Sequence, residues 1–224
     1  MLKIENLSKK FDTNKVIQDL NINIAAGEKV CLFAPSGTGK TTLIKIINGL
    51  IEDYQGSVVN EFQKISTVFQ SPDLFWYKTV AENILFPFQI KKIKYTNEYT
   101  SQYKKWLDIT KLKQKEYLYP AQLSGGMQQK VSLVRGFLFD PDLILLDEPF
   151  NSIDIRSRNR IIDFIKENYA QTTILFVTHT IEDIPKLAKK ILLFKNNLSN
   201  YEELILKESD NYSTVIKNIY ERIY

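Results

Sequence analysis

Residues 34–41 read Ala-Pro-Ser-Gly-Thr-Gly-Lys-Thr, a turn that is rich in small residues and ends in a lysine and a threonine. It follows a short apolar run, Lys29–Phe33, which predicts a buried strand. Its last residues begin a second stretch, residues 39–50, whose apolar side chains recur at a helical spacing. A glycine-rich turn between a strand and a helix directs backbone N–H groups and the positive end of the helix dipole toward one point. The stretch therefore predicts a phosphate-binding loop.

Two side chains of this loop carry specific chemistry. Lys40 is placed to reach the β- and γ-phosphates of a nucleotide, and the Thr41 hydroxyl is placed to bind Mg²⁺. Ala34 replaces the usual glycine at the first position, so the opening turn requires a negative φ there. The alternative is an ordinary glycine-rich turn, which the flanking strand and helix disfavour. The predicted nucleotide-binding residues here are Ala34, Pro35, Ser36, Gly37, Thr38, Gly39, Lys40, Thr41 and Thr42.

Composition excludes several classes of protein. The 224 residues are 44% hydrophobic and 25% charged, which is typical of globular domains and not of disordered or fibrous chains. The net charge of +4 is too small at this length to indicate a nucleic-acid-binding surface. Cys31 is the only cysteine, which favours a reducing compartment. No signal-peptide core or membrane-spanning apolar run is found. We expect one soluble domain over residues 1–224.

The rest of the chain alternates short apolar runs with helix-like stretches, which predicts an α/β fold with a mainly parallel core sheet. Residues 1–25 alternate apolar and polar side chains and predict an N-terminal antiparallel β subdomain. Residues 143–146 and 174–177 are continuous apolar runs, typical of strands buried on both faces. Residues 71–140 predict an inserted helical subdomain, and residues 195–224 predict a C-terminal helical tail.

A pair of adjacent carboxylates follows one of the predicted strands. The stretch Asp142-Leu-Ile-Leu-Leu-Asp147-Glu148-Pro149 delivers both to the carboxyl end of that strand, where open α/β sheets bind their ligands. Asp147 is placed to hold Mg²⁺ through its water shell, and Glu148 is placed to polarise an attacking water. In isolation such a pair is more often a solvated turn, but beside a phosphate loop the catalytic interpretation is favoured.

A third motif lies upstream of the acidic strand. The stretch Leu123-Ser-Gly-Gly-Met127 places Ser124, Gly125 and Gly126 at the start of a helical pattern. A hydroxyl and two glycines at a helix N-terminus form a second potential anion-binding site. A plain serine cap would account for the same residues in isolation.

Together these motifs resemble those of the ATP-binding subunit of an ABC transporter, and the resemblance covers most of the chain. Residues 34–41 resemble the Walker A loop, and residues 142–148 resemble the Walker B strand. Residues 123–126 resemble the signature motif, which other P-loop enzymes lack. The resemblance implies a P-loop NTPase fold, ATP and Mg²⁺ as cofactors, and ATP hydrolysis coupled to transmembrane transport.

Four further residues match positions of that family. Gln70 resembles the Q-loop glutamine, Asp154 the D-loop aspartate, and His179, the only histidine, the switch histidine. The resemblance implies that Gln70 senses Mg²⁺ and water, that Glu148 is the general base, and that His179 holds the γ-phosphate. Phe11 matches the aromatic residue that stacks on adenine, with packing on the core as the alternative.

The resemblance also implies an assembly. Two subunits face head to tail, so Ser124, Gly125 and Gly126 would contact the γ-phosphate bound to the other chain. The expected partners are a second copy of the chain or a paralogous ATPase subunit, a transmembrane permease subunit and an extracytoplasmic solute-binding protein, but no nucleic acid. The expected location is the cytoplasmic side of the cell membrane, as a peripheral subunit.

The form Leu-Ser-Gly-Gly-Met-Gln-Gln at residues 123–129 resembles that of importers of small charged solutes such as nitrate, taurine, sulfonates or glycine betaine. The aromatic residues 75–77 favour an exposed docking patch for a membrane-domain helix over a core cluster. One alternative is an exporter or lipoprotein-releasing ATPase. A soluble ABC-type ATPase acting on ribosomes or DNA is disfavoured, because the chain has neither two ATPase domains nor long coiled coils. A P-loop kinase or GTPase is disfavoured because neither needs the signature motif.

Overall fold

The computed structural model describes residues 1–207 and 210–223, which form two β-sheets and a group of helices. In chain order the elements are β1 (Leu2–Phe11), β2 (Asn14–Ile24), β3 (Lys29–Phe33), α1 (Lys40–Ile47), β4 (Gln55–Asn60), β5 (Ile65–Val68), α2 (Val80–Ile90), α3 (Asn97–Thr110), α4 (Gly125–Phe137), β6 (Leu143–Asp147), α5 (Ile155–Asn168), β7 (Thr173–Thr178), α6 (Ile184–Leu187), β8 (Lys190–Phe194), β9 (Tyr201–Ile205) and α7 (Tyr212–Ile223). Short 3-10 turns precede α4 and α6.

The smaller sheet is antiparallel, as the alternating pattern predicts. Its strand order is β2-β1-β4, and its buried face carries Leu2, Ile4 and Leu7 of β1. The register shifts between Ile4 and Leu7, where Asn6 has a φ of 51°. Because the bulge adds one residue to the strand, buried side chains are two residues apart before it and three residues apart across it.

The larger sheet has the order β5-β6-β7-β3-β8-β9 and is parallel except for β9. Every residue of β3, β6 and β7 is buried, which matches their continuous apolar runs. β3 lies at an inner position, so the loop that follows it opens at the carboxyl edge of the sheet beside the ends of β6 and β7. The predicted α/β fold with a mainly parallel core sheet is confirmed.

The helices α2, α3 and α4 lie within residues 71–140, between β5 and β6. Helices α3 and α4 are joined to α5 by an aromatic cluster around the fully buried Trp106, which contacts Phe137, Phe164 and Tyr169. The indole Nε1 of Trp106 donates to the Tyr169 hydroxyl at 2.8 Å. Because an indole N–H inside a core requires an acceptor, this bond fixes α3 against the segment that ends α5.

The C-terminal segment differs from the helical tail predicted over residues 195–224. β9 pairs with β8 in antiparallel register from Lys190↔Ile205 to Phe194↔Tyr201, and α7 follows only afterwards. A helix over the whole segment would leave the backbone groups along the edge of β8 unpaired, whereas a strand satisfies them. Among the described helices, none is both long and apolar enough to cross a membrane.

Candidate active site

The loop after β3 is shaped by its glycines. Gly37 and Gly39 have φ values of 80° and 101°, and Gly39 immediately precedes α1. A Cβ atom on Gly39 would lie 2.2 Å from Cγ1 of Val16, so any side chain there would have to displace Val16 as well as adopt a conformation that favours glycine. Ala34 is fully buried and does not have a positive φ, so alanine fits the first position without strain.

Lys40 is the first residue of α1 and is almost completely buried. Its ammonium donates to the backbone carbonyls of Ala34 and Pro35 at 2.8 and 2.9 Å. Burial lowers the pKa of Lys40, and the nearby carboxylates of Glu148 and Asp147 oppose that shift. The cation therefore lies inside the loop, facing two acidic side chains.

Asp147 ends β6 beside the start of α1. Its Oδ2 accepts a hydrogen bond from the Thr41 hydroxyl at 2.6 Å. Burial raises the pKa of Asp147, while the hydrogen bond from Thr41 acts against that rise. Within the described residues, no cluster of three or more His, Cys, Asp or Glu forms a metal cage. A carboxylate and a hydroxyl fit Mg²⁺, which is usually held by one or two carboxylates together with substrate phosphates and water.

Glu148 has an unusual backbone and a fixed side chain. Its φ is 47°, and its N–H donates to the Val177 carbonyl at 3.0 Å. Oε1 lies 2.7 Å from Nδ1 of His179, and Oε2 accepts from the Thr178 hydroxyl at 3.1 Å. A left-handed non-glycine residue costs about 1–3 kcal/mol and persists only where its surroundings hold it. The hydrogen bonds from β7 and the turn after it hold this carboxylate at the carboxyl edge of the sheet.

These groups surround one cavity of about 470 Å³. The residues that line it are Phe11, Val16, Ser36, Gly37, Gly39, Lys40, Thr41, Thr42, Gln70, Asp147, Glu148 and His179. Eleven of these twelve were predicted from the sequence, and the structure brings them together from both sheets. The cavity thus combines a buried cation, two carboxylates, a histidine and an exposed aromatic ring.

The signature residues and Asp154 do not line this cavity. Ser124 caps α4, and its hydroxyl oxygen accepts from the Met127 N–H at 3.3 Å. Asp154 caps α5 by accepting from the Ser157 N–H at 2.9 Å, and this bond holds the pKa of Asp154 at about 2. The two caps are neighbours, because a Cβ on Gly126 would lie 2.4 Å from the Ser152 carbonyl oxygen.

The structure adds residues that the sequence analysis missed. Val16 packs on Gly39 at the cavity, and Thr178 donates to Glu148. Gln129, on α4, is buried and donates to the carbonyls of Phe69 and Pro149 at 3.4 and 3.2 Å. Of these three residues, only Thr178 had a sequence signal, which was its position next to the predicted histidine. Val16 and Gln129 contact residues that are distant in sequence, so no local pattern marks them.

The sequence is similar to those of known transporter subunits. Residues 17–151, more than half of the chain, match the model of the family described as ABC transporter. The aliphatic sulfonates import ATP-binding protein SsuB of Bacillus cereus is 32% identical over 96% of this chain and 91% of its own length. The sulfate/thiosulfate import ATP-binding protein CysA of Mesostigma viride is 33% identical over 93% of this chain and 62% of its own length.

Two solved structures have a fold similar to that of this chain. The dimeric post-hydrolysis structure of the ATP-binding cassette MJ0796, bound to ADP and Pi, superposes with a TM-score of 0.81 at 27% identity. The superposition covers 92% of this chain and 99% of that one. A structure described as the ATP-binding subunit of an ABC transporter has a TM-score of 0.85 and covers 98% of this chain. At 23% identity, that second likeness shows the fold alone.

Proposed function

We propose that this chain, which belongs to the ABC transporter family and is an ATP-binding subunit that hydrolyses ATP, energises the import of a small charged solute. The proposed ATP hydrolysis is supported mainly by the contact of Glu148 with His179, in a cavity that Lys40 and Asp147 also line. The direction and cargo are supported by the similarity to subunits named for sulfonate and sulfate import.

Each side chain of the cavity has a proposed part in hydrolysis. The loop N–H groups and Lys40 bind the phosphates of ATP, and Glu148 accepts the proton of the attacking water. His179 is hydrogen-bonded to Glu148 and lines the same cavity, so it would orient the base and hold the γ-phosphate. Thr41 and Asp147 would hold Mg²⁺, with Gln70 as a further oxygen donor. When bound, that ion supplies positive charge against the phosphate oxygens.

A second copy of the chain is proposed to complete the site. Ser124, Gly125 and Gly126 present a capped helix N-terminus outside the cavity lining, so another chain can bring its own copy of them to the bound nucleotide. Asp154 lies in the neighbouring loop and would take part in the same interface. The dimeric MJ0796 cassette supports this arrangement. A paralogous ATPase subunit could take the place of the second copy.

A docking platform for a transmembrane permease is proposed at Phe75, Trp76 and Tyr77. Trp76 is 78% exposed and Tyr77 is 55% exposed. The loop that carries these rings is held by the fully buried Asn83, whose Oδ1 accepts from the Phe75 N–H at 2.8 Å and whose two amide hydrogens are shared among three nearby backbone carbonyls. Because these hydrogen bonds fix the backbone, the two exposed rings remain at the surface as an apolar patch and do not pack into the core.

The location follows from that partner. A subunit whose apolar platform binds a permease lies peripherally at the membrane, on the cytoplasmic side where ATP is available. An importer of this type is further proposed to work with an extracytoplasmic solute-binding protein, which would select the cargo together with the permease.

Glu148→Gln tests the hydrolytic mechanism. The amide keeps the size of the side chain and removes the base, so ATP hydrolysis should fall by at least about 10²-fold while ATP binding persists. Lys40→Ala serves as the matched contrast, since it should lose ATP binding itself. Retained turnover in the Glu148 variant would remove this residue from the role of base.

Recovery of partners from membranes tests the transport function. A tagged chain should pull a multi-span membrane protein, and in an importer also a solute-binding protein, from detergent-solubilised host membranes. Trp76→Ala should lose that partner, whereas Ile205→Ala, which removes an exposed apolar side chain from β9, should retain it. Recovery of ribosomal or other soluble partners alone would contradict the transport function and leave the ATPase chemistry in place.

A further inference from the structure

Lys9 occupies a position in β1 where the strand pattern calls for an apolar side chain. Leu7, two residues earlier on the same face, is fully buried, and Lys9 itself is only 7% exposed. The adjacent Lys10, on the opposite face, is exposed. A charged group enters such a position only where specific partners compensate for its lost hydration.

The partners of Lys9 lie on two different segments. Its Nζ donates to the backbone carbonyl of Asp53 at 2.5 Å and to the Asp53 carboxylate at 3.0 Å. The same Nζ lies 4.8 Å from the centroid of the Phe11 ring. Asp53 belongs to the segment that leaves α1, so the ammonium ties the end of β1 to the chain that carries the phosphate loop.

A gain in stability does not by itself explain the burial of this lysine. The Asp53 carboxylate is fully exposed, and ion pairs with an exposed partner contribute little to folding. The contact with Phe11 is different, because that ring is 45% exposed and lines the nucleotide cavity. An ammonium over an aromatic face is attracted by the negative charge of that face.

We propose that Lys9 is a positioning residue that fixes the Phe11 ring for stacking on the nucleotide base. This inference rests on the proposed function, in which ATP occupies the cavity with its base at Phe11. With the ammonium over one face, the other face stays free for a flat base. The ring is also ordered before the nucleotide arrives, so binding loses less side-chain entropy. Lys9 thereby acts on the base of the nucleotide and not on its phosphates.

The test separates binding of the base from binding of the phosphates. Calorimetry would compare ATP with inorganic tripolyphosphate, which carries the phosphates alone, on the full chain. Lys9→Met keeps the length of the side chain and removes the charge. It should weaken ATP binding about three- to tenfold and leave tripolyphosphate binding unchanged. Lys10→Met, the same change on the exposed face, should alter neither, and Lys9→Arg should restore ATP binding.

Folding of the variants is controlled independently. Lys9→Gln keeps a donor for the Asp53 carbonyl while it removes the cation, so it should reproduce the selective loss even if Lys9→Met unfolds. Phe11→Ala should produce a selective loss at least as large. Equal weakening of both ligands, or unchanged ATP binding in Lys9→Gln, would overturn the proposal. A wild-type chain that fails to bind ATP would instead overturn the proposed function on which the inference rests.

Discussion

Substituting alanine for Gly126 should destabilise the isolated chain, whereas the same change at Gly125 should not. A Cβ on Gly126 would lie 2.4 Å from the Ser152 carbonyl oxygen, and real Cβ atoms essentially never approach below 3.0 Å. The backbone of one of the two segments must therefore move by at least 0.6 Å, the difference between these distances. A Cβ on Gly125 would have nothing within 4 Å.

The size of the effect follows from the cost of overpacking against backbone. That cost is about 1–3 kcal/mol, which lowers the melting temperature of a chain of this size by about 2–12 °C. Gly125→Ala, in the first turn of α4, should be neutral or slightly stabilising because alanine favours helix more than glycine does. Thermal unfolding followed by circular dichroism, without nucleotide, compares the two variants. A Gly126 variant that melts no lower than the Gly125 variant would refute the packing argument.

Two further predictions concern buried and capping hydrogen bonds. Tyr169→Phe leaves the buried Nε1 of Trp106 without its acceptor, so the free energy of unfolding in urea should fall by about 1–3 kcal/mol. The control Tyr117→Phe, at an exposed ring, should change that free energy by under about 0.5 kcal/mol. Equal urea midpoints for the two variants would contradict the first prediction. The Asp154 carboxylate accepts from the Ser157 N–H, and its pKa in the folded chain is about 2, below the ordinary value of 3.8. The stability that this cap contributes is therefore present above pH about 4 and is lost as the pH falls toward 2. Asp154→Asn keeps a cap that does not titrate, so wild type should lose stability relative to this variant over that range; parallel urea midpoints would exclude the effect.

Most of the fold was predictable because local patterns and the global structure agree. The continuous apolar runs of β3, β6 and β7 reflect burial on both faces of a parallel sheet, and the glycine-rich loop marks the turn from β3 into α1. The prediction failed for β9. None of its five residues is fully buried and two adjacent glutamates interrupt any apolar pattern, so no local signal marks it as a strand; it pairs with the edge of β8.

Eleven of the residues that line the cavity could be named from the sequence, but their geometry could not. The motifs identify Glu148 and His179, but neither the 2.7 Å contact between them nor the positive φ of Glu148 leaves a sequence signal. Gly126 illustrates the same limit. Its motif suggests contact with phosphate, whereas its contact with Ser152 depends on two loops meeting in the folded chain. Contacts between segments distant in sequence depend on tertiary packing, which residue patterns do not encode locally.

Each ATP site is proposed to combine the phosphate loop of one chain with the signature motif of another. Mixing a Ser124→Arg chain with a Lys40→Ala chain tests it most directly, because each variant alone should be inactive. In the mixture, the heterodimer contains one site with both motifs intact, so ATPase activity should return to roughly one quarter of wild type for random pairing. A mixture that stays as inactive as its two components, although heterodimers are detected by cross-linking, would contradict the shared site.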